Sequence, residues 1–222
     1  MQPGRIDVVH PKTSDYLNSI GRGSDPAIDR VLTRLEAEAE KSNFPIIGPA
    51  AGRFCYFMAR VTGARNIFEL GSGFGYSTIW FARAIREQGC IGRVHHTVWD
   101  EKLSDDARKN LKEAGLENLV EFHCAEAVAT LKQTPGPFDL IFNDIDKEGY
   151  PSAIPVVKSK LRKGGIFITD NVLWHGRAFD PGNHEESTEA IRAFTRTMSE
   201  DPDFVSTLVP IRDGLWTAWK TN

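Results

Sequence analysis

Two short acidic clusters carry the strongest chemical signal in the chain. Asp144-Ile145-Asp146-Lys147 closes the mostly apolar run Phe138-Asp139-Leu140-Ile141-Phe142-Asn143, and Asp170-Asn171 closes Ile166-Phe167-Ile168-Thr169. If those runs are adjacent parallel strands, Asp144, Asp170 and Asn171 end side by side, and carboxylates that close repel one another unless a cation compensates. Three oxygen donors with no His or Cys suit a hard cation, Mg²⁺ or alternatively Mn²⁺ or Ca²⁺, rather than zinc. Such a set leaves about three octahedral positions open, enough for two neighbouring oxygens of a substrate and one water. Lys147, three residues past Asp144, is either a general base toward a hydroxyl that the cation has acidified or a solvated loop lysine. Trp174 is either a core aromatic or a wall that stacks on a flat ring.

A second feature is the loop Glu69-Leu70-Gly71-Ser72-Gly73-Phe74-Gly75-Tyr76-Ser77, which ends another apolar run and leads into a helical pattern. Glycines permit a tight turn and close approach of a ligand, and a helix N-terminus offers unpaired N–H groups to a carboxylate or phosphate. The spacing is G-x-G-x-G, not the dinucleotide G-x-G-x-x-G, and an acid stands two residues before the first glycine. Glu69 would repel a pyrophosphate and suits a cationic ligand. S-adenosylmethionine carries a sulfonium, an ammonium and a carboxylate, and answers this pattern better than a nicotinamide dinucleotide. After the next apolar run, Asp100 or Glu101 can accept hydrogen bonds from ribose hydroxyls, or simply favour a helix start. Further on, Glu126 with Ala127 can meet an adenine, although an acid in a first helical turn needs no function.

The elements that must position these residues alternate regularly. Two helical stretches come first: one from Asp25-Pro26 through Ile28, Val31, Leu32 and Leu35 to about Lys41, and one from Pro49 to a C-cap at Gly63. Five strand-helix units follow from Asn66 to Ser199, with Lys163-Gly164-Gly165 read as the break before the fifth strand. The chain ends in two strand-like runs, Phe204 to Ile211 and Leu215 to Lys220, around Arg212-Asp213-Gly214, a hairpin at a sheet edge. This pattern predicts an α/β fold, a doubly wound parallel sheet covered by helices on both faces, with ligands beyond the carboxyl ends of the strands.

Composition narrows the function. The 222 residues suffice for one domain, and 41% hydrophobic with 26% charged residues is ordinary globular usage. Lys+Arg 27 against Asp+Glu 30 gives a net charge of −3, which makes no global case for nucleic acid and leaves only a local patch open. Cys55, Cys90 and Cys124 lie far apart, so neither a disulfide scaffold nor a structural zinc site is expected. No apolar leader or membrane-length run is present, so the expected setting is the cytoplasm, without a membrane partner.

Taken together, Glu69 through Thr78, Phe138 through Lys147, and Asp170-Asn171-Val172-Leu173-Trp174-His175-Gly176 resemble the cation-dependent O-methyltransferases of the catechol and caffeoyl-CoA type, which are class I S-adenosylmethionine-dependent methyltransferases. The likeness runs from about Pro45 to the Asp213-Gly214 hairpin. It implies a Rossmann-like methyltransferase fold with a seven-stranded, mostly parallel sheet whose last strand is antiparallel. It also implies a single domain over residues 1–222, with N-terminal helices and a leading loop over 1–62 and the Rossmann-like core over 63–222. A homodimer is usual in such enzymes, and the reaction is methyl transfer to one hydroxyl of a vicinal diol on an aromatic ring.

The resemblance gives Asp144, Asp170 and Asn171 to the metal and Lys147 to the base. Gly71, Ser72, Gly73 and Ser77 go to the methionine end of the cofactor, with Glu69 as the acid of the glycine motif and Asp144 also on the cofactor side. Ala127 falls near the adenine, Ile47 at a backbone contact, and Trp174 on the substrate. Three departures stand out: the family's ribose acid falls on Val98, with Asp100 two positions later; Gly48-Pro49-Ala50-Ala51-Gly52 lacks an acid after the proline; and Asn143 replaces an apolar residue. The expected partner is a small phenolic or catechol-like molecule. The alternatives are a tRNA base hydroxyl, for which Arg5, Lys12, Arg22, Arg53 and Arg177 would have to line one face, and a noncatalytic adenosine-ligand binding domain.

Overall fold

The computed structural model describes residues 10–20, 25–89 and 91–222; Arg5, Arg22 and Cys90 lie outside them. Among the described residues three helices precede the first strand: α1 (Pro11–Ser19), α2 (Pro26–Ser42) and α3 (Gly48–Val61). The sequence pattern predicts only the last two. Helix α1 buries no residue, so it has no apolar stripe for periodicity to detect. Helix α2 has both signals: Asp25 Oδ1 accepts from the Ala27 and Ile28 N–H groups at 3.0 and 3.2 Å, a cap that contributes about 1 kcal/mol, and Ile28, Val31, Leu32 and Leu35 are buried.

The alternating part is β1 (Asn66–Leu70), α4 (Tyr76–Glu87), β2 (Arg93–Val98), α5 (Glu101–Glu113), β3 (Val120–Cys124), α6 (Ala127–Gln133), β4 (Phe138–Asn143), α7 (Tyr150–Lys160), β5 (Leu161–Thr169) and α8 (Glu186–Glu200). The chain closes with β6 (Phe204–Val209) and β7 (Leu215–Lys220). The described strands form one seven-stranded sheet in the order β3-β2-β1-β4-β5-β7-β6. Only β7 runs antiparallel to its neighbours, β5 and β6, so the final hairpin forms the edge as the sequence predicts.

Both sheet faces are covered, which suits the apolar runs of the central strands β1, β4 and β5. Ile67, Leu140, Phe142, Ile166 and Ile168 pack with residues of α2, α3, α4 and α5. Phe68, Leu70, Ile141 and Phe167 pack on the other face with residues of α6, α7 and α8. Fully burying one such side chain stabilises by about 2 kcal/mol.

One boundary differs from expectation. Lys163-Gly164-Gly165 does not break helix from strand but lies inside β5, because α7 already stops at Lys160. Leu161 pairs with Phe138 while Ile166 pairs with Leu140, so the extra residues bulge between them, and Gly164 at φ +76° takes the left-handed turn. Among the described residues no helix is long and apolar enough to cross a membrane.

Candidate active site

The chain runs from β1 outward to β3 and then returns to β4 on the other side of β1. The loops after β1 and β4 therefore part at this switch point, where open α/β sheets bind ligands. A cavity of about 900 Å³ opens there, within the range of small-molecule sites. Gly71 makes the floor possible: at φ +82°, a Cβ on it would stand 2.5 Å from the Asp144 carbonyl oxygen. The glycine loop and the acidic loop are thus packed backbone to backbone. Ser72 ties the loop to β2, its N–H donating to Thr97 O at 2.9 Å and its Oγ accepting from Thr97 N at 3.1 Å.

Gly71, Ser72, Gly73, Ser77, Ile47, Glu126, Ala127 and Asp144 all line the cavity. Two expected cofactor residues do not. Glu69 is fully buried behind the glycine loop, where its Oε2 accepts from the Thr78 hydroxyl. Burial pushes its carboxyl up to about 7, against the lowering effect of the Ser77, Thr78 and Ser72 hydroxyls. Asp100 caps α5, its Oδ1 accepting from Leu103 N at 2.8 Å, and it does not line the cavity; Val98 and Trp99 do. The cap reading of Asp100 is the one the geometry realises. Glu126 caps α6 through the Val128 and Ala129 N–H groups and also faces the cavity.

The acidic clusters end adjacent strands, since Asn143 pairs with Thr169 in the parallel β4–β5 ladder. Asp144 and Asn171 line the cavity, and Asp170 is fully buried just behind them. Each carboxylate has a basic partner: Lys147 Nζ lies 3.1 Å from Asp144 Oδ1, and Arg212 Nη1 lies 3.0 Å from Asp170 Oδ2. Burial raises the Asp170 carboxyl, with Arg212 opposing and Asp144 adding to the rise. Asp170 Oδ1 is buried with no hydrogen-bond partner. Asn171 Nδ2 donates to Asp213 Oδ2 at 3.3 Å, and Lys147 Nζ also donates to Ile145 O at 3.2 Å.

Trp174 stands on the cavity wall, its indole N–H donating to Ser187 Oγ at 3.3 Å and its ring 5.6 Å from Lys147 Nζ. Among the described residues, five non-glycines have positive φ, and four of them, Asn171, Trp174, His175 and Arg212, line this cavity. Backbone held in that sparsely populated region marks a site where tertiary packing overrides local preference.

Sequence reasoning missed Arg212 and Trp99. Arg212 sits in a hairpin turn far along the chain, and nothing local pairs it with Asp170. Trp99 is 80% exposed yet lines the cavity; a lone aromatic after a strand reads equally as core. Of the basic residues considered for a polyanion face, Arg53 donates to Leu17 O, and Arg177 pairs with Glu185 at 3.1 Å while covering Trp174.

Comparison with known proteins fits this geometry. The family described as O-methyltransferase matches residues 24–221. A catechol O-methyltransferase of Niastella koreensis is 32% identical over 186 residues, covering 82% of this chain and 83% of that protein. A catechol O-methyltransferase of Mycobacterium tuberculosis is 32% identical over 202 residues, covering 90% and 88%. The crystal structure of an O-methyltransferase from Bacillus cereus in complex with S-adenosylhomocysteine (SAH) superposes with a TM-score of 0.81 at 30% identity, covering 95% of this chain and 97% of that one. The chain belongs to the class I S-adenosylmethionine-dependent O-methyltransferases.

Proposed function

We propose that the protein methylates one hydroxyl of a catechol-like small molecule, using a divalent cation held by Asp144, Asp170 and Asn171. The observation that carries this reading is the meeting of two carboxylates at neighbouring strand ends with Lys147 Nζ 3.1 Å from Asp144. The donor set suits a hard cation. Asp170 Oδ1 is buried without a hydrogen-bond partner, the Asn171 amide nitrogen is committed to Asp213 and leaves its oxygen as the free donor, and neither His nor Cys takes part. The names of the two catechol O-methyltransferases support the acceptor class.

A divalent cation there supplies a Lewis acid that lowers the proton affinity of a nearby hydroxyl, and S-adenosylmethionine supplies an electrophilic methyl group. The rest falls to the chain. Lys147 is fixed by Asp144 Oδ1 and Ile145 O and takes the acceptor's hydroxyl proton at Nζ. The Tyr150 and Trp174 rings, 5.1 and 5.6 Å from Nζ, screen that nitrogen from bulk water. Trp174, anchored through Ser187, offers a flat wall to an aromatic ring. The glycine loop and the α4 N-terminus receive the cofactor's carboxylate end, and Glu126 with Ala127 receives its nucleoside end. Holding both reactants in one cavity replaces an encounter in solution with an oriented approach.

An acceptor panel tests the reading. Catechol should be methylated at least about a hundredfold faster than phenol, because a site built for two oxygens rejects the analogue lacking one. Equal rates on both, or transfer to bulk tRNA and to no phenolic, would contradict it.

A further inference from the structure

Outside the methyl-transfer cavity, β2 and β3 bring together residues that the reaction does not use. In the parallel β2–β3 ladder His95 pairs with Glu121 and Thr97 pairs with His123, so His95, Glu121 and His123 share one face of the sheet. None of them lines the cavity. His95 Nδ1 and His123 Nε2 are 3.2 Å apart, with ring planes within 14° of each other. The Glu121 carboxylate approaches the same two nitrogens at 3.9 and 3.6 Å, and the three donor atoms all lie within 4.8 Å of one another. Phe68 flanks both imidazoles, at ring-centroid distances of 5.7 and 6.3 Å, and Phe138 stands edge-on to His95. The cluster thus has an apolar back.

We propose that His95, Glu121 and His123 form a second divalent-cation site, of the zinc type, that clamps edge strand β3 to β2. Two imidazoles and one carboxylate are the ligand set of Zn²⁺, Co²⁺ or Ni²⁺, and discriminate against Mg²⁺ and Ca²⁺, which prefer oxygen throughout. The nitrogen separation fits: at metal–nitrogen distances near 2.05 Å, neighbouring nitrogens stand about 2.9 Å apart in an octahedral set and about 3.4 Å apart in a tetrahedral one. Burial disfavours the charged form of both imidazoles, in keeping with rings that ligate through a lone pair. The side chains of Glu121 and His123 are 45% and 20% exposed, which leaves a path for the ion and a position for water. The competing partner of Glu121 is Arg93 at 3.7 Å, an exposed pair worth little. Without an ion, one imidazole donates to the other; binding an ion shifts that proton to the donor ring's other nitrogen, so that both facing nitrogens present lone pairs. His123 stands three residues before Glu126, so the clamp sits close behind the strand ends that form the nucleoside side of the cavity.

The test is Co²⁺ uptake by metal-stripped protein in saturating Mg²⁺, which keeps the oxygen-only site filled. One Co²⁺ per chain should bind with the visible absorption of a nitrogen-ligated, low-coordinate ion, and Zn²⁺ should displace it. His123→Gln and Glu121→Gln, both at partly exposed positions, should each weaken binding at least about tenfold with unchanged far-UV circular dichroism, while Asp170→Asn should leave it intact. No uptake by the wild type, or uptake that the His123 and Glu121 variants keep and Asp170→Asn loses, overturns the second site.

Discussion

Lys147 can be a base or a counter-charge for Asp144, and kinetics separates the two. As the base, Lys147→Met should lower turnover about 10²–10⁴-fold while the dissociation constant for S-adenosylhomocysteine, read by calorimetry, changes by less than about twofold. As a mere counter-charge, its loss would weaken both together. Glu69 carries a pH signature of its own. Its folded carboxyl is raised to about 7 from 4.5 by burial, so the folded state keeps a proton that the unfolded chain releases. Stability is then greatest below about pH 4.5 for this group and falls as pH rises through 7, by at most roughly 3 kcal/mol. Denaturant unfolding between pH 5 and 8 should show that decline in the wild type and a flatter profile in Glu69→Gln; identical profiles would place the carboxylate in a more polar setting. The acidic clusters are legible in sequence because each is contiguous and ends an apolar run. The aim of Glu69 and Asp100 is not legible, because the same carboxylate serves a hydroxyl, a helix cap or a ligand with no local difference in sequence.

At the scale of elements, the site depends on two loops touching. Gly71 approaches the Asp144 carbonyl so closely that a Cβ would collide with it at 2.5 Å, from a backbone at φ +82°. Gly71→Ala should therefore cost about 2–4 kcal/mol of stability and, by displacing the Asp144 loop, weaken Mg²⁺ binding as well as cofactor binding. Thermal melts and Mg²⁺ calorimetry on the same variant check both, and loss of cofactor binding alone would mean that the loops are not coupled. Alternation of apolar runs and caps makes the five strand-helix units readable. Helix α1 is not readable, since it buries nothing. The Gly164 bulge is misread because Gly-Gly after a lysine looks like a helix stop, while the pairing of Leu161 with Phe138 is a long-range fact. For the same reason Arg212 escapes notice: it reaches Asp170 across 42 positions.

Over the whole molecule, a net charge of −3 averages over a locally structured field. Asp144 and Asp170 gather at the carboxyl edge of the sheet, each held against a basic side chain, and this edge is where the loops after β1 and β4 separate. The sheet is packed on both faces by helices, and the glycine and acidic loops that line the cavity leave from its carboxyl edge. Metal-dependent methylation of a vicinal diol is the function we propose for this arrangement. Its most direct test is the initial rate of methyl transfer to catechol by chelator-stripped protein, measured before and after Mg²⁺ is restored. The rate should fall at least about a hundredfold on stripping, as loss of several kcal/mol of electrostatic assistance requires, and recover fully with Mg²⁺. An unchanged rate in the stripped protein would contradict it.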